Sequence, residues 1–143
     1  HPQAGGVVSA TRDGLLPLDQ NSAMMYGRVS YHDYEGLADE AGEGPRIVEH
    51  LGRNYLMIMW NHGLLTVGRT VAEAFSGMHQ LAKCCDNQMR ILALNREIQL
   101  VPEEICKKTQ QKIYERSQGR PGGALEFKMY RRLAEKLDPG YRT

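Results

Sequence analysis

The stretch YLMIMWNHGLLTVG, residues 55–68, decides the fold of this 143-residue chain. Its first part, Tyr55 to Trp60, is continuously apolar and of strand length, which predicts a central strand covered on both faces. The triplet at 61–63 interrupts the apolar run, and Leu64 to Gly68 resumes it as a second strand. Loop tips on rigid sheets are where ligand-binding groups collect, so the interruption at His62 is the first place to look for a site.

A long helix follows this stretch. Thr70 fits an N-cap and Glu73 stands three residues later, as in a capping box. From there apolar residues recur at helical spacing towards Leu94. Four shorter helices are predicted: Asp19 or Asn21 to Tyr26, Pro45 to Gly52, Pro102 to about Ser117, and Ala124 to Leu137 with Phe127, Tyr130, Leu133 and Leu137 on one side.

The remaining pieces predict additional strands. Arg28 to Tyr31 alternates polar and apolar residues as a strand does, and Glu97 to Val101 is predicted as a last strand. Ala4 to Ala10 fits either a strand or a short buried helix. Strands and helices are therefore mixed along the chain, which predicts an α/β or α+β sheet with covering helices.

Composition and charge exclude several classes of protein. Hydrophobic residues make up 41% and charged residues 24%, close to the globular average, and the length fits one domain. The formal net charge is +1, which gives no electrostatic reason to expect nucleic acid as a partner. No apolar run approaches the ~20 residues that cross a bilayer, so no membrane partner is expected.

The cysteine pattern predicts a reducing setting. The three cysteines stand at positions 84, 85 and 106, an odd number with two adjacent in sequence. Such a pattern argues against a disulfide framework and favours a cytoplasmic location. Buried in helices, these residues need no role beyond that of small hydrophobic side chains.

The sequence indicates a functional role more strongly for some of the five histidines than for others. His50 and His79 lie within predicted helices and have no acidic or histidine partner at a spacing that builds a site, so both are interpreted as surface or boundary residues. His62 is either a functional residue or a turn histidine satisfied locally. His1 alone indicates nothing, and no close His or Cys pair of zinc type occurs within the chain.

The run Tyr31-His32-Asp33-Tyr34-Glu35-Gly36 is the third candidate. Strand alternation would place Tyr31 and Asp33 on one side, with His32 and Tyr34 on the other. A tyrosine can donate a proton, and a His-Asp neighbourhood can tune one. A strand ending in a polar turn is the commoner meaning of such a run.

Three segments taken together resemble the class II aldolase/adducin family: HPQAGGVVSA at 1–10, YHDYEG at 31–36, and NHGLLTVG at 61–68 followed by the long helix. The ending LDPGYR at 137–142 is similar to that of adducin-like bacterial members. The resemblance implies a three-layer α/β/α fold. It further implies that residues 1–143 form the C-terminal part of a single domain whose N-terminal part lies upstream.

The resemblance also implies half of a metal site. Catalytic members of the family hold a divalent metal, usually zinc, through a His-x-His pair and a third histidine in a His-Gly turn. His1 matches the second histidine of the pair, and His62 matches the third. The first histidine, the acidic catalytic base and the phosphate-binding loops are expected upstream. The implied activity is that of a metal-dependent aldolase or lyase on a small hydroxy-carbonyl compound, such as a sugar phosphate.

Departures from the family pattern leave other readings open. The tyrosine that donates a proton in sugar-phosphate members falls here near Gln20 or Asn21, so Tyr31 and Tyr34 are the candidates to replace it. Adducin itself suggests a non-catalytic oligomerisation or scaffold domain. A third reading is a globular fragment that binds metal weakly or not at all because its site lies upstream. Family members are commonly tetramers, so a homo-oligomer is expected.

Overall fold

The structure, a computed structural model, describes residues 2–37, 42–118 and 122–142. A mixed three-stranded sheet lies at its centre, in the order β1 (Val29–His32), β2 (Leu56–Met59) and β3 (Gly63–Thr66). β1 runs parallel to β2, whereas β3 runs antiparallel to it. The continuously apolar run therefore forms the middle strand, as its composition predicts.

Helices surround this sheet. They are α1 (Gln3–Ser9), α2 (Gln20–Met24), α3 (Glu43–Leu51), α4 (Val71–Ala93), α5 (Glu103–Ser117) and α6 (Ala124–Leu137), followed by a 3-10 turn at Pro139–Arg142. The α/β class is confirmed, and the ambiguous segment at 4–10 is helical. Among the described residues, no helix is long and apolar enough to cross a membrane.

The two faces of the sheet carry different layers. On one face, side chains from α1, β2, β3 and α4 form the core cluster of Ala4, Val8, Ile58, Leu64, Leu81 and Cys85. On the other face, Ser30 Oγ donates to the Leu51 carbonyl oxygen at 3.0 Å and His32 reaches His50, which fixes α3 there. Helices on both faces give the three-layer arrangement.

Close approach fixes α1 against β3. A Cβ atom added at Gly5 would lie 2.4 Å from Leu64 Cγ, so only glycine fits between this helix and the sheet at the observed distance. The neighbouring Gly6 has no atom within 4 Å of the same position. Gly5, and not Gly6, is therefore the glycine that the packing of α1 on β3 requires.

The capping of α4 differs in one detail from the predicted box. Thr70 Oγ1 accepts from the Glu73 N–H at 3.2 Å, as expected. Glu73 Oε2, however, accepts from the N–H of Arg69 at 2.7 Å, so the reciprocal bond reaches one residue further back. The buried side of the helix consists of Leu81, Cys84, Cys85 and Gln88, while Val71 of the predicted stripe is 73% exposed.

Gln88 is a polar member of this buried side. Its Oε1 accepts from the Leu16 N–H and its Nε2 donates to the Gly14 carbonyl oxygen, each at 2.7 Å. A single amide therefore satisfies two backbone groups of the connection between α1 and α2. Buried polar groups need such partners, which explains a glutamine at a position that helical periodicity alone would fill with an apolar residue.

Two predictions from the sequence differ from the structure. The strand predicted at Glu97 to Val101 is wrong: the segment has no strand, and the Val101 N–H donates to the Pro17 carbonyl oxygen at 2.8 Å. On α6, only the first half of the predicted apolar side packs on α4, where Phe127 and Tyr130 meet Phe75. Leu137 at the helix end is 75% exposed.

The cysteines behave as predicted. Cys84 and Cys85 on α4 and Cys106 on α5 are all free and buried. Burial raises the pKa of the Cys84 thiol to about 12 and that of Cys85 to about 11, from an ordinary value of 9.0. These thiols are therefore held in their neutral form.

Candidate functional site

The turn between β2 and β3 presents His62 on a backbone that is held from both sides. The Asn61 N–H donates to the Ser9 carbonyl oxygen at 2.9 Å, which ties the turn to the end of α1. The Trp60 N–H donates to the His32 carbonyl oxygen at 2.8 Å, which ties it to the end of β1. Asn61 has φ 57° and Gly63 φ 142°, so the chain needs a glycine to reverse here.

Tyr34 is the predicted site residue that comes close to His62. Their ring centroids lie 6.3 Å apart with an interplanar angle of 87°, an edge-to-face contact. β1 ends at His32, so Tyr34 has left the strand and its ring is free to reach across to the turn. It remains 52% exposed, so the ring is accessible from solvent.

Tyr31 occupies a different environment. Its ring stacks on Trp60 with centroids 4.8 Å apart, and its hydroxyl oxygen accepts from the Leu15 N–H at 3.1 Å. Burial raises the pKa of this phenol above its ordinary value. A Cβ at Gly14 would lie 2.6 Å from the ring, so the phenol is closely enclosed. The structure therefore does not bring Tyr31 to the same place as Tyr34.

The described residues do not form a metal centre by themselves. No three His, Cys, Asp or Glu side chains within residues 2–37, 42–118 and 122–142 are grouped so that they could hold an ion. His62 offers one imidazole at the turn. His1, the other predicted ligand, lies outside the described residues.

A polar cluster around the buried His32 lies beside the turn and is not indicated by the sequence. His32 is 1% exposed, and its Nδ1 lies 2.8 Å from His50 Nδ1. Among the described residues its Nε2 has no hydrogen-bond partner, but it lies 3.8 Å from Glu35 Oε1 and 3.7 Å from Glu43 Oε1. His50 is exposed, which agrees with its interpretation as a surface or boundary residue, but its pairing with His32 is not indicated by any spacing within either element.

Arg46 forms a second link between α3 and the segment that follows β1. Its Nε donates to both carboxylate oxygens of Glu35, at 2.8 and 3.0 Å, and its terminal nitrogen also contacts Oε2. The guanidinium lowers the pKa of Glu35. Arg46 and His50 are one helical turn apart, so they lie on the same side of α3.

A cavity lies away from this site. It measures about 310 Å³ and is lined by residues of α2, β2, α4 and α5, among them Met24, Leu56 and Ile113. The guanidinium of Arg28 sits 5.2 Å from the Tyr114 ring centroid on its wall. Leu56 begins β2, whereas His62 follows its end, and Tyr31, Tyr34 and His62 do not line the cavity.

Comparison with known proteins identifies the family. Residues 1–89 match the family model described as the class II aldolase and adducin N-terminal domain. The chain belongs to the class II aldolase and adducin family. A Caulobacter vibrioides protein named for the class 2 aldolases is 38% identical over 141 residues, which are 99% of this chain and 54% of that protein. Alpha-adducin of Rattus norvegicus is 36% identical over 160 residues, covering 100% of this chain and 20% of adducin.

Two solved structures of related proteins share the fold of this chain. An aldolase II superfamily protein from Pseudomonas syringae superposes with a TM-score of 0.87 at 36% identity, covering 100% of this chain and 57% of that one. L-Fuculose 1-phosphate aldolase from Glaciozyma antarctica PI12 gives a TM-score of 0.73 at 27% identity, covering 96% and 50%. The class II aldolase-like fold is confirmed, and the chain spans about half the length of these relatives.

Proposed function

We propose that this class II aldolase family chain contributes the His62 turn and Tyr34 to an aldolase or lyase site for a small hydroxy-carbonyl substrate. The observation that carries the proposal is the edge-to-face contact between these two side chains at the end of the sheet. The likeness to a fuculose phosphate aldolase supports a sugar-phosphate substrate. The family membership supports carbon–carbon bond cleavage as the reaction class.

In this proposal Tyr34 donates the proton that the departing carbon takes up. Aldol cleavage removes the proton of a hydroxyl group, breaks the adjacent carbon–carbon bond to form a carbonyl, and leaves an electron pair on the departing carbon. A phenol beside that carbon returns a proton to it, which is general acid catalysis. Tyr34 is partly exposed, whereas the Tyr31 hydroxyl is already engaged by Leu15, so Tyr34 is the better candidate.

We further propose that the complete site binds a divalent metal, most simply zinc, with His62 and His1 among its ligands. Together with a further ligand these imidazoles would hold the ion, which would supply Lewis-acid polarisation of a substrate oxygen. The described residues alone supply only the turn imidazole, so the proposal depends on His1 and on further ligands. The free cysteines support a reducing compartment such as the cytoplasm.

Metal analysis and turnover of the purified protein test the proposal together. Zinc, manganese and iron are measured per chain, and cleavage of L-fuculose 1-phosphate and related hydroxy-carbonyl phosphates is followed. His62→Ala is expected to lose both metal and activity. His79→Ala is the matched control, because this histidine bonds Tyr130 between α4 and α6 and not the turn. A protein that binds no metal and turns over none of these compounds contradicts the proposal.

An adducin-like role is the second candidate. It is favoured by the 36% identity to alpha-adducin across the whole chain and by the exposed apolar residues of α6. In that role the chain is a non-catalytic oligomerisation domain, and His62→Ala alters only the local structure of the β2–β3 turn. Turnover that disappears in His62→Ala excludes it.

A further inference from the structure

We propose that Arg46 and His50 of α3 are positioning residues that hold Tyr34 against His62. This inference rests on the proposed function for its consequence in catalysis, but the contact that it explains is a property of the fold. Between His32 and Glu35, both anchored to α3, stand only Asp33 and Tyr34. The geometry is that of a short segment clamped at its two ends.

The first clamp is the pair of imidazoles. His32 Nδ1 and His50 Nδ1 lie 2.8 Å apart, a distance that requires one to donate and the other to accept. His32 is buried at the end of β1, so it cannot follow His50 to solvent without leaving the sheet. Its backbone carbonyl meanwhile accepts from Trp60, which places this anchor directly beside the β2–β3 turn.

The second clamp is the ion pair between Glu35 and Arg46. Arg46 meets the carboxylate with Nε and with a terminal nitrogen, so the contact is two-pronged and fixes the orientation of both groups. Arg46 lies one turn before His50 on α3. The same rigid helix therefore holds both ends of the segment that carries Tyr34.

Charged side chains surround the other nitrogen of the His32 imidazole. His32 Nε2 faces the carboxylates of Glu35 and Glu43, and Arg46 reaches the same site through Glu35. On β2, His32 pairs with the uncharged Met59.

The contact itself provides the readout. An aromatic ring edge-on to an imidazole shifts the proton resonances of that imidazole, so the His62 ring signals in a ¹H–¹³C NMR spectrum report the position of Tyr34. Tyr34→Ala removes the ring and defines the shift of an uncovered His62. Arg46→Gln and Glu35→Gln each remove one charge of the second clamp, and Glu35→Gln keeps the shape of the side chain.

We expect both Gln variants to move the His62 signals towards the Tyr34→Ala values. The charge-swapped pair Glu35→Arg with Arg46→Glu is expected to restore them, which a general loss of packing would not do. His50→Ala should act as the single-charge variants do, because it removes the imidazole of the first clamp. Unchanged His62 signals in a folded Glu35→Gln or Arg46→Gln variant would overturn the proposal.

Activity separates this inference from the proposed function. If the His62 signals move as described and turnover is absent in the wild type, the clamp stands and the proposed reaction fails. If turnover depends on His62 while its signals ignore Arg46 and Glu35, the reaction stands and the clamp fails. Where both hold, Arg46→Gln lowers kcat more than it raises KM, because a misplaced proton donor impairs the chemical step.

Discussion

The ring of Tyr34 meets the imidazole of His62 edge-on, with centroids 6.3 Å apart. Neither residue lies within a strand: Tyr34 follows the end of β1, and His62 lies in the turn after β2. Parallel neighbours end at the same edge of a sheet, so β1 and β2 deliver both side chains to one place. The candidate site thus follows directly from the sheet topology.

Removing the Tyr34 hydroxyl tests its proposed part in the reaction. We expect Tyr34→Phe to lower kcat by roughly 10² to 10⁴-fold, the usual contribution of general acid catalysis. The His62 contact should persist, because the ring remains. Tyr114→Phe is the matched control, since this phenol on α5 is similarly exposed and lies on the wall of the distant cavity. Equal activity of Tyr34→Phe and wild type contradicts the role.

Two adjacent glycines of α1 should respond in opposite directions to the same substitution. Gly5→Ala places a Cβ 2.4 Å from Leu64 Cγ, and we expect a loss of about 1 to 3 kcal/mol in the free energy of unfolding. Gly6→Ala meets no atom within 4 Å and should gain roughly 0.5 to 1 kcal/mol from helix propensity and a less flexible unfolded chain. Urea denaturation measures both, and equal effects would refute the close approach.

Gln88 should be more important to stability than other glutamines of the helices. Gln88→Leu leaves the Leu16 N–H and the Gly14 carbonyl without their side-chain partner, and we expect a cost of about 2 to 4 kcal/mol. Gln111→Leu on the exposed side of α5 should stay within about 0.5 kcal/mol of wild type. Thermal and urea unfolding measure the stability of both variants. Similar stability would show that the two hydrogen bonds of Gln88 contribute little.

The buried thiols predict how stability falls in alkali. The pKa of Cys84 is raised to about 12 and that of Cys85 to about 11, mainly by burial, from 9.0. Above pH 9 the thiols of the unfolded chain ionise while the native ones keep their protons, so stability is lost as pH rises. Each thiol contributes a slope of up to about 1.4 kcal/mol per pH unit.

Urea unfolding of wild type and of Cys84→Ala/Cys85→Ala between pH 8 and pH 11 measures this effect. The variant is expected to be less stable at pH 8 because of the atoms it removes, but its stability should fall less steeply. Native thiols should also resist a thiol-reactive dye near neutral pH, where they are neutral and buried. A parallel decline in both proteins would mean that other groups cause the alkaline loss.

The sequence predicts those features that depend on neighbours along the chain. The continuous apolar run at 55–60 marks the middle strand because only a doubly covered strand excludes polar residues. Thr70 marks the start of α4, since capping involves groups three residues apart. The His62 turn is visible because a polar triplet interrupts two apolar strands.

Features that depend on tertiary contacts are not visible in this way. Tyr31 and Tyr34 are both candidate proton donors in the sequence, and the contacts of Tyr31 with Trp60 and Leu15 show that it lies outside the candidate site. The link between His32 and His50 joins residues 18 positions apart on two elements. The strand predicted at 97–101 fails because a strand needs a partner, and the backbone at Val101 bonds the loop at Pro17 instead.

The exposed apolar row of α6 predicts association through that helix. Leu125, Met129, Leu133 and Leu137 recur every four residues, and their exposures range from 45% to 82%. We expect Leu133→Glu with Leu137→Glu to weaken a homo-oligomer while leaving the melting temperature of the separated chain nearly unchanged, because these side chains contribute little to the core. Light scattering coupled to size-exclusion chromatography measures the mass, and Lys136→Glu controls for the added charge. If wild type and the double variant have the same mass, α6 does not form the interface.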